Sequence, residues 1–340
     1  MRNPQATIRD LAIRLNISIS TVSRALRNAP DVNPETKRAV LEMARKLNYE
    51  PNRVAQSLRI KKTNTLGIVV PEIVMHFFSS AISGIQEYAS SHNYSIMICQ
   101  SMESQQTEIS NIHMLVANRV DGLLISLSSD TKDYDHLQQL IQKKIPIVLF
   151  DRVCDELDVS KVIVDDHDGA FRAVEYLIQT GCRRIAYIGG PTNLSITMQR
   201  QRGYADALAK SNIAMDNDLV VHCQDLHNGP AEAVKQLLGL REKPDAIFCM
   251  NDPIAIQAMV VIKEKQLRIP DDISVVGFTN EPVSQFIEPS LTTVSQPAYE
   301  IGKTAAELFL QQINAEGTFQ PVTKGLPTML VIRNSTRKIK

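Results

Sequence analysis

The chain has 340 residues, of which 44% are hydrophobic and 22% are charged, and its formal net charge is zero. This length suits two or three domains, since a domain usually holds roughly 100 to 200 residues. No stretch reaches the roughly 18 apolar residues of a membrane span, and the start, MRNPQATIRD, lacks the apolar segment of a signal peptide. These features exclude a membrane protein and predict a soluble, cytoplasmic one.

The charge is unevenly distributed along the chain. Residues 1–62, the head, contain 13 Lys/Arg and 5 Asp/Glu, a net charge of +8, whereas residues 63–340, the body, contain 24 and 32, a net charge of −8. A basic head on an acidic body favours a nucleic-acid partner for the head. The five cysteines are scattered singly, without the spacing of zinc ligands, so we expect buried reduced thiols, no metal and no cofactor.

Three short helices are predicted within the head. The first covers residues 8–15, whose apolar side chains recur at helical spacing. The second covers residues 19–27 and can be capped by Ser18, and the third starts at Pro34. Because a turn of only a few residues joins the first two helices, the pattern predicts a helix-turn-helix unit, whose second helix enters the major groove of DNA.

The second of these helices has a basic face with several short hydroxyl side chains. Val22 and Leu26 are expected to hold the helix to the bundle. Short hydroxyls can approach phosphates and base edges, and Arg24 can donate two hydrogen bonds to guanine O6 and N7. A lone polar helix is more often a solvated surface, but the tight turn and the local charge of +8 favour DNA here.

A fourth short helix is predicted in NYEPNRVAQSLRIKKTNT, residues 48–65. At under three turns it should be marginally stable alone and order only against a partner. The segments ATIRDLAIRLNISISTVSRALRN and LNYEPNRVAQSL together resemble the head and hinge of the LacI/GalR (lactose repressor/galactose repressor) family of bacterial transcription regulators.

That resemblance implies separate roles for residues of the head and hinge. Ile19, Ser20 and Arg24 match the base-reading positions, and Leu58 matches a leucine wedge that unstacks a base step in the minor groove. Asn52 and Ala55 would face the same groove. The candidate DNA-binding residues are Thr7, Ile19, Ser20, Thr21, Ser23, Arg24, Asn28, Tyr49, Asn52, Arg53, Ala55 and Leu58.

The body alternates short apolar runs with amphipathic segments. The strand-like runs are GIVV, SIMIC, GLLISL, PIVLFD, KVIVDD, RRIAYIGG, DAIFCM and ISVVGF. This alternation predicts an α/β fold of two lobes, each with a doubly wound parallel sheet, joined to the small all-α head by the hinge helix. Ligands of such folds bind beyond the carboxyl ends of the strands.

Polar and aromatic residues follow several of these runs. A carboxylate, an amide, a guanidinium and an aromatic ring at one cleft suit a polyhydroxy ligand. Any single polar residue at the end of such a run is more often a helix cap than a ligand, and Asp252 before Pro253 would cap well.

The body resembles the family's effector domain, which is similar to periplasmic sugar-binding proteins. Thr279 stands where many members have an aspartate, so the effector is left open between a sugar and another small molecule. The matching positions imply the effector-binding residues Phe77, Phe78, Asp151, Arg200, Asn251, Thr279 and Gln296.

The resemblance also implies the assembly. A homodimer would present two recognition helices to a pseudopalindromic operator, and an effector between the lobes would control operator affinity. The end, LVIRNSTRKIK, lacks the leucine heptads that make one member a tetramer, so a dimer is expected. The implied boundaries are 1–50 for the helix-turn-helix domain, 51–63 for the hinge, 64–162 with 292–322 for one lobe, and 163–291 with 323–340 for the other.

An enzyme is the alternative from another class. VDDHDG, residues 164–169, holds three carboxylates and a histidine, but consecutive residues rarely face one centre, and the segment also suits a helix start. The sequence contains no P-loop, GxSxG or HExxH motif. A sugar-binding protein or a sugar-modifying enzyme of similar fold is the runner-up, and the basic head argues against both. We therefore predict a repressor controlled by a carbohydrate, not an enzyme.

Overall fold

The structure, a computed structural model, describes residues 6–49, 62–225, 229–315, 317 and 319–339. The chain divides into two compact units, Met1–Thr63 and Asn64–Lys340. The predicted hinge helix, including Asn52, Arg53, Ala55 and Leu58, lies outside the described residues.

The first unit contains a bundle of three short helices. They are α1 (Ile8–Leu15), α2 (Ile19–Leu26) and α3 (Pro34–Lys46). Leu11, Val22 and Val40 come from the three helices in turn and are fully buried in one core. The three helices predicted in the head are therefore confirmed.

Local signals explain where these helices begin and how the turn forms. Thr7, Ser18 and Asn33 are the N-caps of α1, α2 and α3, and each side chain accepts a hydrogen bond from a backbone N–H in the first turn. Asn16, at the end of α1, adopts the left-handed conformation with φ of 50°. This conformation lets the chain reverse in the short turn before α2.

The second unit contains two six-stranded sheets with helices packed against them. Its strands are β1 (Thr65–Val70), β2 (Ser95–Gln100), β3 (Gly122–Ile125), β4 (Ile147–Phe150), β5 (Ser160–Val164), β6 (Ile185–Gly189), β7 (Val220–His222), β8 (Ala246–Cys249), β9 (Ser274–Thr279), β10 (Thr292–Ser295), β11 (Thr323–Leu326) and β12 (Met329–Val331). Its helices are α4 (His76–Ser91), α5 (Gln105–Ala117), α6 (Asp135–Gln142), α7 (Asp166–Gln179), α8 (Ser195–Lys210), α9 (Gly229–Leu238), α10 (Asp252–Glu264) and α11 (Ala298–Asn314). All eight apolar runs marked in the sequence form strands.

The strand order defines two lobes. The first lobe is built on the sheet β11-β5-β4-β3-β1-β2, in which every pair is parallel. The second lobe is built on β12-β10-β9-β8-β6-β7, which is parallel except for β12, antiparallel to β10. The predicted α/β fold with two doubly wound sheets is confirmed, and the antiparallel edge strand is the difference.

Alternating side chains of the first sheet enter two separate cores. Ile68 and Val70 of β1 pack with α4 and α11, whereas Val69 packs with α5 and α6. Successive side chains of a strand point to opposite faces, so the sheet has helices on both sides. Among the described residues, every helix is too short or too polar to cross a bilayer.

The chain passes between the lobes three times, after Val164, Ser295 and Leu326. The sequence-based boundaries assigned residues 292–322 to the first lobe and 323–340 to the second. Instead, β10 lies in the second sheet and β11 in the first. Both strands have only four residues of mixed polarity, so pairing rather than hydrophobic pattern decides their place.

Two glycines allow α4 and α11 to approach closely. A side chain on Gly84 would meet the backbone of Tyr299, and one on Gly302 would meet the backbone of Ala81. This contact fixes α4, whose first turn carries the predicted effector-binding residues Phe77 and Phe78.

Candidate functional site

The second helix of the head has an anchored side and a solvent-facing side. Val22 and Ala25 are buried in the core of the bundle. Ile19 is 48% exposed although it is apolar, and Ser20 and Arg24 are also exposed. The three base-reading candidates therefore share the side of α2 that a DNA groove could reach.

Several other DNA-binding candidates also stabilise helix ends. Thr7 forms a capping box with Asp10: the Thr7 backbone N–H donates to Asp10 Oδ2 at 2.8 Å, and Asp10 N–H donates to Thr7 Oγ1 at 3.3 Å. The Thr21 N–H donates to Ser18 Oγ at 3.0 Å, and the two hydroxyls are 2.8 Å apart. Ser23 is half-buried. Thr7 and Thr21 therefore have structural roles besides the predicted ones.

Two exposed candidates contact side chains of the loop and helix that follow α2. The Arg24 guanidinium forms an ion pair with the carboxylate of Asp31. The Lys37 ammonium donates to the side-chain oxygen of Asn28. Tyr49 is half-buried against the core of the bundle, and burial raises the pKa of its hydroxyl.

A cavity of about 490 Å³ lies between the lobes of the second unit. Its walls come from loops that follow the carboxyl ends of strands in both sheets, as expected for doubly wound folds. The lining residues are Glu72, Met75, Phe78, Met102, Glu103, Ser129, Asp130, Lys132 and Arg152 of the first lobe, and Pro191, Asn193, Gln224, Asp225, Asn251, Pro253 and Gln257 of the second.

Two of the seven predicted effector-binding residues, Phe78 and Asn251, line this cavity. The ring of Phe78 packs edge-to-face on Phe77 at 5.2 Å, and the Arg152 guanidinium lies 5.8 Å from the Phe78 ring. The other five are absent from the lining: Phe77, Asp151, Arg200, Thr279 and Gln296. Phe77, like Phe78, packs in the core beneath α4, but Phe77 does not reach the cavity.

Asn251, and not Asp252, caps α10: Asn251 Oδ1 accepts a hydrogen bond from Ile254 N–H at 3.0 Å. Asp252 is fully buried, where its carboxylate accepts hydrogen bonds from Ser284 Oγ at 2.6 Å and Glu281 N–H at 2.8 Å. Burial raises the pKa of Asp252 to about 6, against the lowering effect of these hydrogen bonds. The expectation that Asp252 would act as the cap was wrong, because its carboxylate points into the lobe.

Asp151, Thr279 and Gln296 are buried or half-buried polar residues, and Asp151 and Thr279 also have an unusual backbone conformation. Among the described residues, Thr279 Oγ1 and Gln296 Nε2 are buried without a hydrogen-bond partner. Thr279 has φ of 112° and Asp151 has φ of 61°, and residues other than glycine rarely adopt positive φ. Such strain and unsatisfied polar atoms concentrate at functional sites. Burial raises the pKa of Asp151 to about 7, although Arg152 and Arg200 oppose this.

Arg200 lies in the second turn of α8, which begins at Ser195. It is only 2% exposed, and its Nε and Nη2 atoms donate to Asp166 Oδ1 at 2.8 and 2.7 Å. Its guanidinium carbon lies 3.7 Å from the centre of the Phe278 ring, and Nη1 donates to the carbonyl of Met250. Arg200 therefore joins α7, α8 and two strand ends inside the second lobe.

The VDDHDG segment has no common centre. Asp165 caps α7, Asp166 binds Arg200, His167 pairs with Asp206, and Asp168 pairs with Arg172. The segment is therefore the start of α7, as the helix-start interpretation predicted. No group of three metal-ligating side chains was found in the part of the chain that the structure describes.

Sequence reasoning missed the contacts that form the rim of the cavity. Glu103 Oε2 accepts hydrogen bonds from Ser129 N–H at 2.7 Å and from Arg152 Nη1 at 2.6 Å. Burial acts to raise the pKa of Glu103, but Arg152 and these hydrogen bonds hold it below its usual range. Asn193 of the second lobe donates to the carbonyls of Ser129 at 2.8 Å and Thr131 at 3.1 Å. The loop of residues 127–132 is thus tied to both lobes.

A buried carboxylate holds the same loop from behind. Glu108 is fully buried, and its Oε2 accepts hydrogen bonds from the backbone N–H and hydroxyl of Ser128 at 2.8 and 2.9 Å. Its Oε1 lies 3.0 Å from His136 Nε2 and 3.2 Å from Thr131 Oγ1. The sequence contained one signal for these contacts. SSD (residues 128–130) and TNL (residues 192–194) follow two of the apolar runs, and loops at strand ends often carry binding residues.

Two family models match the chain. Residues 7–52 match bacterial regulatory proteins of the lacI family, and residues 63–327 match periplasmic binding proteins and the sugar binding domain of the LacI family. These ranges contain the helix-turn-helix unit and nearly all of the two lobes.

Individual proteins are similar over nearly the full chain. The HTH-type transcriptional repressor CytR of Escherichia coli (strain K12) is 34% identical over 337 residues, covering 98% of this chain and 97% of the relative. The structure of the lac repressor dimer bound to operator and the anti-inducer ONPF matches with a TM-score of 0.86 and 27% identity, covering 98% and 99% of the two chains. The CelR–cellobiose complex matches with a TM-score of 0.74 and 29% identity, covering 97% and 99%.

The chain belongs to the LacI family of bacterial regulatory proteins. It is a DNA-binding transcription regulator with an effector-binding body, as the resemblance of its head and body predicted.

Proposed function

We propose that this protein is a repressor that binds a pseudopalindromic operator as a homodimer, and that a carbohydrate in the cavity between the lobes controls its operator affinity. The observation that carries the proposal is the presence, in one chain, of a basic helix-turn-helix unit and a two-lobed body with a cavity. The relatives support it, since CytR is named a repressor and the lac repressor is a dimer bound to operator.

In the head, α2 supplies the base-reading residues. Ile19, Ser20 and Arg24 face solvent together, while Val22 anchors the helix. Thr21 and Ser23 are better suited to phosphate contacts, because both are partly buried and their short side chains reach only nearby groups. Thr7, Asn28 and Tyr49 remain candidate contacts at the border of this surface.

The cavity suits a polar ligand with one apolar face. Phe78 provides an aromatic surface, and Asn193, Asn251 and Gln257 provide amides that can donate to or accept from hydroxyls. CelR, which is similar over nearly the full chain, is solved with cellobiose. Thr279 and Gln296 carry buried polar atoms without a hydrogen-bond partner among the described residues, which supports their assignment to the effector. Asp151 and Arg200, which lie near each other, are assigned to the effector by the family resemblance.

Effector binding would change the relative orientation of the lobes and so favour or oppose pairing of the two hinge segments. Coupling between two sites is typically worth about 1 to 3 kcal/mol, enough to switch a marginal hinge helix. The chain catalyses no reaction in this proposal, and it acts in the cytoplasm, where its operator is. The enzyme alternative has no supporting site, since the VDDHDG side chains diverge.

Selection from a pool of randomised DNA duplexes with the full chain tests DNA reading. The wild type should enrich a two-fold symmetric motif. Arg24→Ala should weaken the free energy of binding to that motif by about 1 to 3 kcal/mol and relax the preference at one base pair per half-site. Equal loss on selected and random DNA would contradict base reading.

A thermal-shift screen of sugars, sugar phosphates and nucleosides tests the effector. A ligand of the cavity raises the unfolding temperature by mass action, and the shift should shrink in Phe78→Leu. Phe286→Leu is the matched control, because Phe286 is 79% exposed and absent from the cavity lining. A hit unaffected by Phe78→Leu would place the effector elsewhere.

A further inference from the structure

The recognition helix carries an arginine that is already held by a carboxylate of the same chain. The contact joins Arg24 Nη2 to Asp31 Oδ2, and the two side chains are 45% and 51% exposed. Within residues 6–49 it is the only ion pair. A guanidinium has five N–H donors, so a contact through one N–H of Nη2 leaves its second N–H, and the parallel N–H of Nη1 on the same edge, for another pair of acceptors.

The loop that carries Asp31 is well anchored. Ala29 N–H donates to the carbonyl of Arg24 at 3.0 Å, and Asn28 takes the left-handed conformation with φ of 60°. Val32, next to Asp31, packs against the core of the bundle. Asp31 therefore occupies a defined place beside the end of α2 instead of sampling many positions.

Resting on the proposed function, we infer that Asp31 is a positioning residue that holds the Arg24 guanidinium in the orientation for reading one base pair. An exposed arginine has several rotatable bonds and can swing to any nearby phosphate. A fixed guanidinium presents two parallel N–H groups to guanine O6 and N7 and keeps its bond to Asp31 while doing so. Reaching a phosphate instead requires breaking that bond.

The consequence concerns specificity more than affinity. Asp31 lowers the entropic cost of the base contact of Arg24, because less side-chain freedom is lost on binding. It makes non-specific phosphate contacts of Arg24 less favourable, because the ion pair must open first. Removing the carboxylate should therefore weaken base preference at one position and strengthen binding to random DNA.

The test is selection from a randomised duplex pool, with sequencing, for full-length wild type, Asp31→Asn and Asp31→Glu. Asp31→Asn should reduce preference about threefold at the base pair that Arg24→Ala also affects, as suits an exposed ion pair. Preferences at other positions should stay unchanged, and Asp31→Glu should restore part of the loss. A merely structural role would lower preference at every position together.

Two controls separate this effect from general electrostatics. Glu42→Gln removes one exposed carboxylate of α3 with the same change of charge, and it should leave the preference at the Arg24 position unaltered. In the Arg24→Ala background, Asp31→Asn should change the sequence preference no further.

The outcomes are distinguishable. If the wild type enriches no motif, the proposed function fails. If it enriches a motif but Asp31→Asn leaves the Arg24 position unchanged, lowers all positions evenly, or acts equally when Arg24 is alanine, the positioning role is wrong. If Arg24→Ala alters no single position, Arg24 reads no base and Asp31 has nothing to position.

Discussion

Arg200 and Asp166 form a buried ion pair in which two guanidinium nitrogens donate to one carboxylate oxygen at 2.8 and 2.7 Å. Both side chains are nearly inaccessible, at 2% and 8% exposure. Burial raises the pKa of Asp166, and the positive charge of Arg200 opposes that rise. The pair connects α7 with α8 in the second lobe, so the arginine predicted for the effector site also supports the fold.

Arg200→Met should destabilise the protein by about 3 to 5 kcal/mol, because it leaves a buried carboxylate without its partner. The double variant Arg200→Met/Asp166→Leu should recover part of the loss. Urea unfolding followed by far-UV circular dichroism measures this, since the chain has no tryptophan. Arg172→Met, which removes an exposed partner of Asp168, is the control and should change stability by about 1 kcal/mol or less. A large loss in the control and none in Arg200→Met would contradict the role of burial.

Asp151→Asn should stabilise the protein progressively as the pH rises from 5 to 8. The folded pKa of about 7 is above the ordinary value of 3.8, so the folded state favours the protonated carboxyl. Its contribution to stability is present below the unfolded pKa and is lost as the pH rises through about 7. The asparagine variant lacks this loss.

Thermal unfolding of the wild type and Asp151→Asn between pH 5 and pH 8 checks the prediction. Asp130→Asn removes an exposed carboxylate at the rim of the cavity and should change stability by less than about 0.5 kcal/mol. A constant difference between Asp151→Asn and wild type at all pH values would show that Asp151 is ionised throughout.

Glu108→Ala should loosen the loop of residues 127–132. The variant removes the acceptor for the Ser128 N–H and leaves the buried His136 without its carboxylate. Hydrogen exchange of Ser128 should become faster, whereas Ser126, whose N–H donates to Val69 at 3.0 Å, should keep its protection. Faster exchange at both amides would indicate general unfolding instead.

Operator binding should weaken steeply with salt. A plot of log affinity against log salt concentration should have a slope of about −0.9 for each phosphate neutralised. Fluorescence anisotropy with a selected duplex between low and moderate salt measures the slope. A flat response would reject the role assigned to the +8 charge of residues 1–62.

Leu58→Ala should weaken operator binding and reduce the bend of the DNA, because the predicted wedge in the minor groove is lost. A circular-permutation gel measures the bend. Leu41→Ala serves as a control, because Leu41 is on α3 and partly exposed. An unchanged bend in Leu58→Ala would refute the wedge.

The fold was predictable where its signals are local. Helix caps and apolar spacing located the three helices described in the head, and apolar runs located eight strands. The strands β7, β10, β11 and β12 were missed, since each has three or four residues and no regular hydrophobic pattern. Their identity depends on pairing with residues far along the chain.

The cavity was predictable in position but only partly in composition. Strand ends pointed to Phe78 and Asn251, which line it. The partners of Arg200 and Glu108 lie 34 and 28 residues away in sequence, and no local pattern marks them. A residue type at a strand end shows which chemistry is available, whereas the fold decides whether that side chain meets a ligand or another buried group.

The three passages of the chain between the lobes also constrain its synthesis. The first sheet needs β11 to pair with β5, and the second needs β12 to pair with β10. On a ribosome, neither sheet can acquire its last strand until residues beyond 320 have emerged. Both lobes are therefore completed within the final stretch of translation, and a nascent chain stopped before α11 would expose the apolar surface of the first sheet that this helix covers.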